Sequence, residues 1–259
     1  MQITPEHIPI IQTHALERLE SLVTLIARSA ELAIVKGPVG IGKSFAINQM
    51  VERAQSMSIR VHTITCRAEI EGNIKSMENE LLSRHGVHEH MATNAMQAVW
   101  SIVAGQPFSQ FGTRSVLIID ESQGMKISVL EAFRGLFDMG DKARMGVPNA
   151  PAFGMILVGN DTFLTRSGSR SVPLYAPLRD RVQTTIQLDR PDREEFRAFA
   201  GSLPLPNEAA REQLVAFGIS KGNLRGVAKA WRLAVNLAGS KPVRSSDLNN
   251  AIFMMKGGA

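Results

Sequence analysis

Cysteine is nearly missing from this chain. Cys66 is the only one among 259 residues, so no disulfide can close within the chain and no cysteine-based zinc site can form. Aromatic residues stand at 5%, with Tyr175 the single tyrosine. That scarcity leaves little on which to stack bases, so a nucleic acid, if bound, would be held by its phosphate backbone. No apolar run approaches the length needed to span a bilayer. The segment from Met1 to Ile10 is interrupted by Pro5, Glu6, His7 and Pro9 and lacks the apolar centre of a signal peptide. A cytoplasmic protein without membrane contact is therefore expected. Internal repeats and low-complexity tracts are lacking as well.

What is present describes a globular chain with a basic surplus. Hydrophobic residues make up 44% and charged residues 20%, enough to bury one large core or two modest ones. The net charge of +5 and a pI near 9.7 make polyanions a natural class of partner.

The most informative stretch is Gly37-Pro38-Val39-Gly40-Ile41-Gly42-Lys43-Ser44, which follows the apolar run Leu32-Ala33-Ile34-Val35 and precedes a helical pattern opening at Phe45. Glycines at these positions let successive backbone N–H groups turn inward around phosphate oxygens, where a Cβ would crowd the anion. A helix N-terminus then aims its free donors at the same place. Lys43 is expected to reach the β and γ phosphates of ATP, and the Ser44 hydroxyl to supply an oxygen to hydrated Mg²⁺. Residues 37 to 45 are thus the nucleotide-binding candidates.

Strand and helix patterns alternate around that loop. Helices are expected over Thr13 to Ala30, Asn73 to His85, Thr93 to Ala104 and Ser128 to Met139. Strands are expected at Ile59 to Thr65, Val116 to Ile119, Met155 to Gly159 and Thr184 to Leu188. Such alternation implies an α/β fold, a parallel sheet covered on both faces by helices. Beyond Asp189 only helical patterns remain, near Asp192 to Ala200, Asn207 to Phe217, Asn223 to Leu237 and Ser246 to Met255, punctuated by Pro191, Pro204, Pro206 and Pro242. The expected division is an α/β nucleotide-binding domain over residues 1–189 and a small all-helical lid over 190–259.

The chemistry-bearing residues follow the same order. Asp120 and Glu121 end a buried strand, at the sheet edge where ligands of open α/β sheets bind. Asp120 can hold the Mg²⁺ hydration shell while Glu121 orients and polarises the attacking water. Asn160 ends the next strand, where its amide can bond that water or the γ-phosphate. In Pro177-Leu178-Arg179-Asp180-Arg181-Val182, an arginine can project into a neighbouring subunit's γ-phosphate, with Arg181 preferred to Arg179. Arg225, in Lys221-Gly222-Asn223-Leu224-Arg225, opens a lid helix and can touch the γ-phosphate of its own subunit, coupling lid angle to nucleotide state. His85, His88 and His90 read as a solvated helix end instead of metal ligands.

This series resembles the AAA+ P-loop ATPases, and within them the family of the phage Mu B transposition protein and the TnsC-type transposition regulators. The likeness runs through Glu31 to Ser44, Thr63-Ile64-Thr65, Val116 to Glu121, Val158-Gly159-Asn160, Leu178 to Leu188, Gly222-Asn223-Leu224-Arg225 and Trp231-Arg232-Leu233-Ala234. It implies a five-stranded parallel sheet with a helical lid, and ATP-driven head-to-tail assembly into homo-oligomers or helical filaments on duplex DNA. It also implies activation of a partner transposase, with hydrolysis to ADP and phosphate releasing the subunits. The DNA contacts it implies fall on Arg67 and Lys75 after the second strand and on Lys126 after the Asp-Glu strand, all to phosphates. The Mu protein's N-terminal helix-turn-helix has no counterpart in the dozen residues before the first helix, and the loop from Gly140 to Gly154, with Lys142 and Arg144, looks longer than in that protein. A second reading is another DNA-associated AAA+ machine, a helicase loader or branch-migration motor, because Ala176 to Val182 also resembles the arginine turn of those motors. A small-molecule kinase is disfavoured by Glu121, and guanine specificity by the lack of an N-K-x-D segment.

Overall fold

The computed structural model describes residues 10–67, 73–86, 95–104, 114–138, 152–161, 178 and 180–257. The chain divides into two compact units, one of 18–37 and 44–188, the other of residues up to Glu17, Pro38–Lys43 and 189 onward.

The first unit is built on five parallel strands: β1 (Leu32–Lys36), β2 (Ile59–Thr65), β3 (Arg114–Asp120), β4 (Gly154–Gly159) and β5 (Val182–Gln187). Their order is β2-β3-β4-β1-β5, with every pairing parallel. Residues of β1, β3 and β4 are buried almost without interruption. That is why those segments read as continuous apolar runs instead of alternating ones. Edge strand β5 alternates between half-buried and exposed positions, as expected where one side faces no neighbour. The helices of this unit are most of α1 (His14–Ser29) and α2 (Lys43–Ser56), with α3 (Ile74–Arg84), α4 (Ala95–Ala104) and α5 (Ile127–Asp138). Leu81, Val99, Phe133 and Phe137 pack with sheet residues Ile64, Leu117, Ile119 and Leu157 into one core.

Strand β3 starts two residues earlier than the apolar run, at Arg114. Ser115 is buried there, and its hydroxyl donates to the Val103 carbonyl, which lets a polar residue enter the strand.

The second unit carries α6 (Arg193–Gly201), α7 (Glu208–Lys221), α8 (Leu224–Ala238) and α9 (Ser245–Met255). Phe196, Phe199, Leu214, Phe217, Val227, Trp231, Leu248 and Ile252 form its core. Each of the first three helices has a side-chain cap, Asp192 in a capping box with Glu195, Asn207 on Ala210 and Asn223 on Gly226. Helix α7 passes Phe217, where the sequence pattern ended it, and runs to Lys221. Gly218 is no breaker here: a Cβ at that position would stand 2.6 Å from Phe196 Cδ1, so glycine serves close packing of helices.

Candidate functional site

Three neighbouring strands of the first unit end together. Lys36 of β1 pairs with Gly159 of β4, Ile119 of β3 with Leu157 of β4, and Thr65 of β2 with Asp120. The phosphate loop therefore leaves the sheet at the edge where Asp120 closes β3 and Asn160 follows β4. Asp120 is 4% exposed, and its Oδ1 accepts the Glu121 N–H at 2.9 Å. Glu121 has left-handed backbone angles, φ 55° and ψ 33°, an uncommon conformation for a residue with a Cβ. It turns the chain out of the strand into a short 3₁₀ turn, Ser122–Gly124, braced by the Ser122 hydroxyl donating to Ile119 O at 2.7 Å.

Gln123 in that turn was not foreseen. Its Nε2 donates to Glu121 Oε2, and its Oε1 accepts the Asn160 N–H at 3.1 Å. A glutamine two residues past an Asp-Glu pair carries no signal of its own until the turn is known.

In the second unit the loop segment Pro38–Lys43 meets the start of α8. Gly40 and Gly42 have φ of 86° and 103°, the region glycine adopts without strain. A Cβ on Gly40 would lie 3.2 Å from Asn223, and the Arg225 N–H points to Gly40 O at 3.4 Å. The phosphate loop and the Gly222-Asn223-Leu224-Arg225 segment, some 180 residues apart in sequence, are thus neighbours. Gly222 ends α7 in the left-handed conformation and Asn223 caps α8, which places Arg225 on the helix's first turn, exposed. Lys43 is buried, and its Nζ donates to Pro38 O at 2.8 Å. The loop's own carbonyl thereby holds the ammonium. Ser44 and Phe45 are exposed at the start of α2. Elsewhere in this unit, His14 Nδ1 lies 3.4 Å from Glu195 Oε2 and 3.8 Å from Asp192 Oδ2, but both carboxylates are committed to capping α6.

Arg181 directly precedes β5. Its Nε donates to Asp138 Oδ1 at 2.7 Å, while Arg134 Nη1 takes Asp138 Oδ2 at 2.7 Å. Asp138, at the end of α5, is thus shared by two arginines, Arg134 and Arg181. Arg179, Lys142, Arg144, His88 and His90 lie outside the described residues. Arg67 is exposed just past β2, Lys75 on the first turn of α3 and Lys126 just ahead of α5. His85 is more than a solvated helix end. Its Nε2 lies 3.1 Å from Nδ1 of His62 on β2, which is 6% exposed. Burial, then His85 and Arg60, lower the His62 pKa to about 4, and burial followed by Arg84 lowers that of His85.

A phosphate loop after an inner strand of a five-stranded parallel sheet, with Asp-Glu and Asn ending the next two strands of the sheet and a helical unit following in sequence, defines the AAA+ P-loop nucleotide-binding fold. The model of one such family, the AAA domain, matches residues 26–166, more than half of the chain, and the chain belongs to that family. Solved structures agree in fold. The Aeropyrum pernix ORC2 protein, solved as ADPNP-ADP complexes, superposes with a TM-score of 0.63 at 15% identity, over 99% of this chain and 72% of that one. The Aeropyrum pernix ORC1 protein in complex with DNA gives 0.62 at 14%, over 98% and 68%. The Thermotoga maritima RuvB Holliday junction branch migration motor gives 0.56 at 14%, over 94% and 70%. No curated protein matches the chain in sequence. Among the described residues no helix is long and apolar enough to cross a membrane.

Proposed function

We propose that the chain is an ATPase that binds duplex DNA without regard to sequence, assembles head to tail on it, marks it as a target and activates a partner transposase. The observation that carries the ATPase part is the common edge at which β1, β3 and β4 release the phosphate loop, Asp120-Glu121 and Asn160. Backbone N–H groups of residues 37 to 45 would cradle the phosphates, with the Lys43 ammonium passing from Pro38 O to the β and γ oxygens. Asp120, a buried carboxylate, and Ser44, an exposed hydroxyl, are the hard oxygen donors that suit Mg²⁺ bound largely through water. When bound, that ion supplies charge neutralisation at the phosphates. Glu121 would polarise the attacking water, Asn160 would orient it, and Arg225 would sense the γ-phosphate in cis.

Arg181 is the proposed finger for the neighbouring subunit. It is tied to Asp138 beside the start of β5, and assembly would exchange that carboxylate for a phosphate. The DNA part rests on the exposed Arg67, Lys75 and Lys126 beyond β2 and β3, and on the kinship in fold with proteins solved with DNA or as branch-migration motors. The transposition part rests on the motif resemblance to the Mu B and TnsC-type family alone.

ATPase rate and particle shape, measured with ATP in the presence and absence of duplex DNA, test the proposal. Filaments with stimulated turnover are expected; a monomer indifferent to DNA would end it. Arg181→Ala should lose turnover roughly a thousandfold and be rescued by mixing with Lys43→Ala subunits that keep their finger. Failure of that complementation would show that Arg181 does not act in trans. Likeness to the RuvB motor favours a second reading, a branch-migration motor or helicase loader, which closed rings moving along DNA would support.

A further inference from the structure

Gln123 is held at both ends of its amide. The Asn160 backbone N–H can only donate, so the atom facing it must be Oε1, and this fixes Nε2 toward β3. Nε2 donates to Glu121 Oε2. The orientation of the amide is therefore set by β4 and used on the residue after β3. Among the described residues Gln123 is the one group that donates to the Glu121 carboxylate. Without it an exposed side chain with three free torsions would stand on a left-handed backbone, spread over several rotamers.

We infer that Gln123 is a positioning residue for hydrolysis: it pins the Glu121 carboxylate in register with the end of β4, so that the base and Asn160 address the same water. The bond occupies Oε2 and leaves Oε1 for that water. This rests on the reading of Glu121 as the group that polarises water, since Gln123 itself touches no reacting atom.

Two variants separate its two bonds. Gln123→Met keeps the side chain's length and volume but can neither donate nor accept. Its kcat for ATP should fall about tenfold or more, with KM for ATP and melting temperature unchanged. Gln123→Glu keeps an acceptor for the Asn160 N–H but sets a carboxylate against Glu121. It should lose more than the methionine variant, and the acid side of its rate–pH profile should move to higher pH, because a neighbouring negative charge favours the protonated base. Both variants turning over at the wild-type rate, or changing only KM, would overturn the role. A wild-type chain that binds ATP yet never hydrolyses it, with or without DNA, would instead remove the parent reading and this role with it.

Discussion

The carboxyl ends of β3 and β4 and the margin formed by β2 and α3 treat polar groups in opposite ways. At the first, Asp120 takes the Glu121 N–H, Gln123 donates to Glu121, and the Asn160 N–H donates to Gln123, so two strand ends are laced through one short turn. At the second, Arg60, Arg67 and Lys75 are exposed and make no ion pair among the described residues, whereas Arg84 of α3 pairs with Glu80 and donates to Thr63 Oγ1 of β2. His62 is buried with Nε2 lacking a partner among those residues. Laced groups fix geometry to the fraction of an ångström that bond-making requires. Loose cations supply a field that acts over a Debye length and is blind to sequence. On the proposed function, chemistry would belong to the first margin and polyanion attraction to the second.

The largest break in that contrast should come at the laced end. Glu121→Gln is expected to bind ATP while hydrolysing about a thousandfold more slowly, and to accumulate assemblies. Lys43→Ala should lose nucleotide binding altogether, read by titration with a fluorescent ATP analogue. Neither effect should depend on ionic strength, and marked salt dependence would contradict a geometric role. At the loose margin the expected signature is reversed. Replacing Arg67, Lys75 and Lys126 together by alanine should weaken duplex binding on the order of a hundredfold at low salt, equally for unrelated sequences. The log–log salt slope should flatten by about 0.9 for each phosphate contact removed. An unchanged slope would mark these residues as solvated charges and place the DNA elsewhere.

How much of this was legible in the sequence follows the same contrast. Runs such as Val116-Leu117-Ile118-Ile119 announce buried strands because parallel sheets bury both faces, and the caps Asn73, Asp192, Asn207 and Asn223 mark helix starts through local chemistry. The glycine loop and Asp120-Glu121 were likewise readable, since their residue types are dictated within a few positions. Contacts between distant segments were not. The strand order, the Asp138 tie to Arg181, the use made of Gln123 and the approach of Asn223 to Gly40 all arise from tertiary placement, which no local pattern encodes. The run of α7 past Phe217 depends likewise on a distant neighbour, since Gly218 lies against Phe196 and Val227.

The smallest expected effect across the physiological range concerns His62, and it tests whether the Arg60 charge on the β2 margin bears on a buried neighbour. Burial is the first cause of its lowered proton affinity, with His85 and Arg60 adding to it. A histidine held near 4 when folded, against 6.5 when unfolded, is neutral in the native chain while the unfolded chain takes up a proton. Stability is then fully present above pH 6.5 and is lost as pH falls toward 4. The loss should be about 1 kcal/mol between pH 7.5 and 6, approaching about 3 kcal/mol near pH 4. Denaturant midpoints measured over that range should show it, and His62→Gln, which cannot titrate, should flatten the curve. Because Arg60 and His85 contribute to the depression, Arg60→Gln should narrow the window from its acid side by letting native His62 accept a proton sooner. A pH dependence identical in wild type and His62→Gln would mean that the buried imidazole is not the group being titrated, and that the cations on this margin do not bear on it.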